Sequence, residues 1–101
     1  MFVHIVLWRL HEHAPNGKTR DENAAEMKRR FEALMGVIPG LTRCEIGIDM
    51  SRSSDSADVA LYSEFTSLDA LEAYQPHPAH QAIVAFLKDV RTERRVVDYK
   101  I

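Results

Sequence analysis

The chain has 101 residues, of which 46% are hydrophobic and 28% are charged, and its formal net charge at pH 7 is −2. This length predicts one domain that spans residues 1–101. The composition is typical of a globular protein, and the small negative charge gives no electrostatic reason to bind nucleic acid. No apolar run reaches the length of about 18 residues that a membrane-spanning helix needs, so the sequence predicts no membrane partner.

Two features of the sequence bear on where the protein works. The first residues lead directly into the apolar run Phe2–Trp8, without the basic segment and the cleavage site of a signal peptide. The single cysteine, Cys44, can form no disulfide within the chain, which fits a reducing compartment. We therefore expect a cytoplasmic protein.

The first predicted element is a strand over residues 2–10, which are rich in residues that favour β-structure. Alternation places Val3, Ile5 and Leu7 on one face of this strand. The other face carries His4, Val6, Trp8 and Leu10. Because both faces hold apolar side chains, we expect a central strand with a layer of protein against each face.

A helix is predicted to follow the first strand. Thr19 and Glu22 have the spacing of a capping box, and the helix is expected to reach about Val37. Its predicted buried side chains recur every three or four residues and are Met27, Phe31, Leu34, Met35 and Ile38. A second strand is predicted over residues 41–48, with Gly47 as a candidate bulge.

The second half of the chain holds two further predicted strands. The Ser- and Asp-rich stretch 49–57 has no apolar period and is expected to be an exposed connection. A third strand is predicted over residues 58–65, and Ser67 is expected to cap a short helix after it. The last predicted strand covers residues 94–101.

Titratable groups are concentrated in the segment Tyr74–His80, which also contains two prolines. Pro78 suits the first turn of a helix, so a helix is expected to begin near it and to run toward Val90. The apolar stripe of this helix is Ile83, Val84, Leu87 and Val90. A step of three residues back from Ile83 reaches His80, so the His80 side chain is expected to point into the protein interior.

The order strand, helix, strand, strand, helix, strand predicts an α+β, ferredoxin-like fold with a four-stranded antiparallel sheet and its helices on one face. Such a fold leaves the face with Val3, Ile5 and Leu7 uncovered within one chain. An exposed apolar face of that extent favours association, because it would otherwise promote aggregation. We therefore expect a homodimer in which the two sheets face each other through these residues.

The chain resembles the stress-responsive A/B barrel (Dabb) family in several segments. These are His4–Leu10, Ile38–Leu41, Asp58–Leu61 with Glu64–Phe65, Tyr74–His80 and Val97–Tyr99. The resemblance covers nearly the whole chain, and the most specific part is the HPxH motif with its preceding tyrosine. It implies a ferredoxin-like fold that dimerises into an α/β barrel.

The resemblance also implies candidates for a site. In a plant polyketide cyclase of the family, which closes a linear chain by an aldol condensation, the catalytic tyrosine and histidine match Tyr74 and His80. A further pocket histidine of that enzyme matches His4, whereas a histidine of its third strand is replaced here by Val59. We expect a small, mostly apolar ligand pocket between the sheet and the helices, formed by His4, Val6, Trp8, Tyr74, His77 and His80.

Three hypotheses for the function remain open at this point. The first is a stress-associated protein that binds a small, largely apolar molecule. The second is a cofactor-free enzyme, similar to a polyketide cyclase or a monooxygenase, in which His80 takes a proton from a carbonyl compound and Tyr74 donates one. The third is a purely structural or assembly role, with His80 as a core histidine whose two nitrogens both have protein partners.

A metal site built from His4, His77 and His80 is disfavoured. The helical spacing directs His77 and His80 apart, and no carboxylate or cysteine in the same stretch completes the set of ligands. We expect neither a metal nor a cofactor.

Overall fold

Strands and helices follow one another in the predicted order in the computed structural model, which describes residues 1–101. The elements are β1 (Phe2–Leu10), α1 (Arg20–Glu32), β2 (Leu41–Ile48), β3 (Val59–Phe65), α2 (Leu68–Tyr74), α3 (Pro78–Leu87) and β4 (Arg91–Lys100). The strands form one antiparallel sheet in the order β2-β3-β1-β4. This arrangement confirms the ferredoxin-like α+β prediction. No helix has the length and apolar character that would let it cross a membrane.

The inner face of β1 forms the base of the hydrophobic core. Its side chains are all buried and are those of His4, Val6, Trp8 and Leu10. The three apolar members pack in one core of 18 buried residues with Phe31 of α1, Leu71 of α2 and Ile83 of α3. Burying one such side chain stabilises a fold by about 1.5–3 kcal/mol. The helices therefore cover this face of the sheet.

The outer face of β1 is only partly open. Val3 is completely buried between its neighbours in register, Glu64 of β3 and Tyr99 of β4. Ile5 is half-buried, and Leu7 is 42% exposed. The prediction that all three side chains are uncovered was therefore wrong for Val3, because longer side chains on both adjacent strands flank it. The large apolar side chains that stay exposed on this face are Leu7, Val97 and Tyr99.

The start of α1 agrees with the sequence pattern. The Thr19 hydroxyl accepts a hydrogen bond from the Glu22 backbone N–H, and the Glu22 carboxylate accepts one from the Thr19 N–H. This capping box satisfies two N–H groups that the first turn of a helix leaves without intrahelical partners.

The end of α1 differs from the prediction. The helix ends at Glu32 and does not reach Val37. The chain then tightens, because the Leu34 N–H bonds to a carbonyl three residues earlier and Gly36 adopts a left-handed φ of 82°. This change of direction turns Met35 outward, where it is 43% exposed, although it was predicted to be buried.

The position of the irregularity in β2 also differs from the prediction. The irregular pairing of β2 with β3 lies between Leu41 and Arg43, and Gly47 pairs regularly. The stretch after β2 is exposed, as predicted. Arg9 holds it against the sheet, because its guanidinium donates to the backbone carbonyl of Ser56 at 3.0 and 3.1 Å.

Helix α3 begins at Pro78, as predicted, and ends at Leu87. Val90 lies beyond the helix but is still fully buried, since the chain turns there and its N–H donates to the Leu87 carbonyl. Within the predicted apolar stripe, Ile83 is buried whereas Val84 is 42% exposed. Val84 differs because it lies at the edge of a cavity.

Candidate functional site

A cavity of about 540 Å³ lies between the inner face of the sheet and the helices. Its walls come from β1, β3, α1, the end of α2, the turn that follows it, α3 and the start of β4. Seven of its 14 lining residues are hydrophobic, and none is an aspartate or a glutamate. Its volume lies within the range of about 300–1,000 Å³ that is usual for small-molecule sites.

Five of the six residues predicted to form a pocket line this cavity, namely His4, Val6, Trp8, Tyr74 and His80. The structure places the sixth, His77, elsewhere. His77 is the N-cap of α3, where its Nδ1 accepts a hydrogen bond of 3.1 Å from the Ala79 N–H. The prediction that His77 lines the pocket was wrong, because a capping side chain turns back onto its own helix.

His80 projects from the first turn of α3 into the cavity wall and is 8% exposed. Its Nδ1 lies 2.9 Å from the carbonyl oxygen of Gln75. Because a carbonyl can only accept, Nδ1 carries the proton, and Nε2 keeps a free lone pair. Burial lowers the pKa of His80, and the nearby charges of His4 and Arg94 act in the same direction. The imidazole is therefore neutral at pH 7.

Tyr74 ends α2 at the centre of the polar part of the cavity. Its ring centroid lies 4.1 Å from that of His80, 5.3 Å from that of Phe65 and 6.0 Å from that of His4. The side chain is 2% exposed, and burial raises the pKa of the Tyr74 phenol far above its usual range. No hydrogen bond within the chain engages its hydroxyl. Tyr74 is thus a neutral donor beside a neutral acceptor.

His4 is held by a residue that the sequence reasoning did not single out. Asp98 lies opposite His4 in the β1–β4 register, and its carboxylate accepts a hydrogen bond from His4 Nδ1. This bond fixes the orientation of the imidazole ring and engages only Nδ1, not Nε2. A signal was available, because alternation along β4 places Asp98 on the same face as Arg94. Recognising it required the register between the first and last strands.

The structure also adds residues to the cavity that were not predicted. Arg91 and Arg94 line it from β4, Phe31 from α1, and Gln75 from the turn between α2 and α3. The two arginines belong, with Arg95, to a short basic segment of the sequence. Their place at the cavity follows from the pairing of Arg94 with Trp8 across the sheet.

The arrangement can perform two kinds of chemistry. Its hydrophobic walls can bury the apolar part of a small molecule. The His80 Nε2 can accept a proton, and the Tyr74 hydroxyl can donate a hydrogen bond to an oxygen atom of the same molecule. Both groups are neutral at pH 7, so neither must change its protonation state before acting.

Comparison with known proteins identifies the family. The family model of the Dabb, or stress responsive A/B barrel, domain matches residues 2–101. An uncharacterized protein of Streptomyces coelicolor is 36% identical over 93 residues, which cover 91% of this chain and 92% of that protein.

Solved structures agree with this result. A dimeric ferredoxin-like protein of unknown function from Bacteroides fragilis is 32% identical and superposes with a TM-score of 0.86, covering 99% of this chain and 95% of the other. A second dimeric ferredoxin-like protein, from Thermobifida fusca, is 25% identical with a TM-score of 0.78, covering 99% and 90%. The chain therefore belongs to the Dabb, or stress responsive A/B barrel domain, family.

Proposed function

We propose that this protein binds a small, largely apolar molecule in the cavity between its sheet and its helices. The observation that carries the proposal is the cavity of about 540 Å³ in a chain of 101 residues. A concave space of this size, lined by both apolar and polar side chains, is typical of the sites at which proteins bind small molecules.

The walls of the cavity support an occupant with an apolar body. Val6, Leu61, Phe31 and Leu87 supply aliphatic and aromatic surface. Each Å² of apolar ligand surface removed from water contributes about 25 cal/mol. Among the polar groups, His4 and His80 lie together beside Tyr74, so they would fix the orientation of one polar end of the ligand.

Filling the cavity is expected to weaken binding. The change is Val84→Phe, which adds an aromatic ring at the cavity edge, where 42% exposure leaves room for a larger side chain. The probe is octanamide, an uncharged molecule with an apolar chain. Trp8 is the only tryptophan and lines the cavity, so its fluorescence reports binding directly. We expect the variant to bind octanamide at least about tenfold more weakly, since the loss of one ligand contact of about 1.4 kcal/mol has that effect.

The matched control is Leu68→Phe. Leu68 is 49% exposed on α2 and does not line the cavity, so this variant adds the same ring elsewhere. It is expected to bind octanamide as the parent does. Saturable binding that Val84→Phe leaves unchanged would place the ligand outside this cavity, and no binding by the parent protein would contradict the proposal.

We further propose that the protein is a homodimer formed through the outer face of the sheet. Leu7, Val97 and Tyr99 are exposed there on two adjacent strands. The related structures at 32% and 25% identity are dimeric proteins, which supports the same assembly here. Exposed apolar side chains grouped on one face of a small domain favour a two-fold interface.

A second candidate function is acid–base catalysis on a carbonyl compound. The observation that favours it is the Tyr74–His80 pair, with ring centroids 4.1 Å apart and one nitrogen of His80 unpaired. In the proposed step, His80 Nε2 takes a proton from a carbon next to a carbonyl group. The electron pair of the broken C–H bond forms a carbon–carbon double bond, and the π electron pair of the carbonyl group moves onto its oxygen, to which the Tyr74 hydroxyl donates a hydrogen bond.

Replacing the base is expected to reduce proton transfer. The change is His80→Asn, and the measurement is exchange of the C2 hydrogens of methyl 3-oxooctanoate for deuterium, followed by NMR. We expect the protein-dependent rate to fall by about a hundredfold, because a positioned general base contributes at least that much. Since burial lowers the pKa of His80, the parent rate should stay constant from alkaline pH to below the usual histidine pKa and then fall as acid protonates Nε2.

His77→Asn is the matched control for this experiment. It makes the same chemical change at the N-cap of α3, outside the cavity, where asparagine caps equally well. Its exchange rate is expected to equal that of the parent. A parent protein that does not accelerate exchange would leave binding as the function, and equal losses in the two variants would exclude His80 as the base.

A further inference from the structure

The fixed charges at the cavity are all positive. Arg91 and Arg94 line it, and no acidic side chain does. Neither arginine takes part in an ion pair within the chain, whereas Arg9, Arg29 and other basic residues are engaged by carboxylates or carbonyl groups. Their guanidinium groups are therefore available to a ligand.

Neither acidic residue of β4 neutralises these arginines. Glu93 pairs with Arg9 in the β1–β4 register, which places it on the outer face of the sheet, whereas Arg94 pairs with Trp8 on the inner face. Asp98 is on the inner face, but its carboxylate is bound to His4. The positive charge at the cavity is thus left without a partner by the register itself.

Trp8 is a second unpartnered donor in this part of the molecule. Its side chain is 2% exposed and lines the same cavity, beside Arg94 on the next strand. Its Nε1–H is buried and has no hydrogen-bond acceptor. A buried donor without a partner costs about 1–3 kcal/mol, so such donors are rare in proteins unless something else satisfies them.

We infer that the molecule bound in the cavity is an amphipathic carboxylate, with an apolar chain or ring inside and its carboxylate at Arg94. This inference rests on the proposed binding function and adds the charge of the ligand to it. The planar guanidinium matches a carboxylate with two parallel hydrogen bonds. Arg91 adds a second positive charge to the wall of the cavity.

The inference has a consequence for the titratable groups. The charge of Arg94 lowers the pKa of both Tyr74 and His80, so its field reaches the polar centre of the cavity. A bound carboxylate compensates that charge. Its binding should therefore raise the pKa of His80, which is measurable from the imidazole proton shifts by NMR, whereas a neutral ligand should not have this effect.

The test compares octanoate with octanamide, which share the apolar chain and differ in the charge of the head group. We expect the parent protein to bind octanoate at least about tenfold more tightly, with Trp8 fluorescence as the readout. Arg94→Gln should remove this preference while octanamide still binds, and Arg94→Lys should retain part of it because the charge remains.

The control variant is Arg95→Gln, which makes the same change one residue along β4 on the opposite face of the sheet. It should keep the full preference for octanoate. Equal affinities of the parent for octanoate and octanamide would overturn the inference and leave apolar binding intact. A loss of preference in Arg95→Gln equal to that in Arg94→Gln would also overturn it, since the effect would then come from general surface charge. Absence of binding by either molecule would overturn both the inference and the proposed function.

Discussion

Replacing Gly40 by alanine is expected to lower the free energy of unfolding by about 2–4 kcal/mol. Gly40 has a φ of +81°, a left-handed conformation that an L-residue adopts only with strain. An added Cβ would lie 2.5 Å from the Cβ of Ala70 and 3.1 Å from the Thr66 hydroxyl. Ala70 belongs to α2, so relieving the clash requires the helix to move. Urea unfolding followed by circular dichroism measures the loss.

Gly17 provides the matched control for this prediction. It has the same φ of +81°, but a Cβ at this position would meet no atom within 4 Å. Gly17→Ala therefore carries only the conformational strain and should lose about 1 kcal/mol. Equal losses in the two variants would mean that the contact between Gly40 and α2 contributes nothing to stability. The larger loss in Gly40→Ala would show how closely this turn supports the helix that carries Tyr74.

The substitution Leu7→Glu is expected to convert the proposed dimer into a monomer. Leu7 is 42% exposed on the outer face of the central strand, so a glutamate there can be solvated in a single subunit. In a dimer built on this face, two-fold symmetry would bury one new carboxylate from each subunit. Each buried charge costs several kcal/mol, so we expect the dissociation constant to rise by about a thousandfold or more. Sedimentation equilibrium over a range of protein concentrations measures this change.

Met50→Glu is the control for the dimer experiment. Met50 is 94% exposed in the connection between β2 and β3 and is not part of the outer face of the sheet. This variant gains the same charge and should remain a dimer. A parent protein that sediments as a monomer at micromolar concentration would contradict the proposed assembly. A dimer that persists in Leu7→Glu would show that another surface forms the interface.

Local patterns in the sequence predicted the parts of the fold that depend on neighbouring residues. The capping box of Thr19 and Glu22, the helix start at Pro78 and the inward direction of His80 are all present. Each rests on spacings of two to four residues. The order of elements then selected the ferredoxin-like fold, because few topologies connect four strands and two helical segments in that order.

The errors in the fold arose where two local patterns competed. The apolar spacing that predicts a helix up to Val37 continues through Leu34 and Ile38, which are both buried. It gave no weight to Gly36, whose left-handed conformation changes the direction of the chain after Glu32. Apolar residues can therefore remain buried beyond the end of the helix that precedes them.

The missed site residues share a different cause. Arg91 and Arg94 reach the cavity, and Asp98 reaches His4, through the pairing of the last strand with the first, about 90 positions apart in the chain. A shift of one residue in that register would exchange the inner and outer rows of β4. The volume of the cavity could not be predicted either, because it depends on how far α3 stands from the sheet. Sequence periodicity contains no information about that distance.

Strand β4 has a double task that follows from its position at the edge of the sheet. All ten of its residues are exposed, with Arg94 and Asp98 on the inner row and Val97 and Tyr99 on the outer row. The ligand and the second subunit would therefore contact opposite faces of the same strand. If self-association changes ligand affinity through this strand, thermodynamic reciprocity requires that the ligand change self-association by an equal factor. A subunit with bound ligand and one without it would then differ in their affinity for a second subunit.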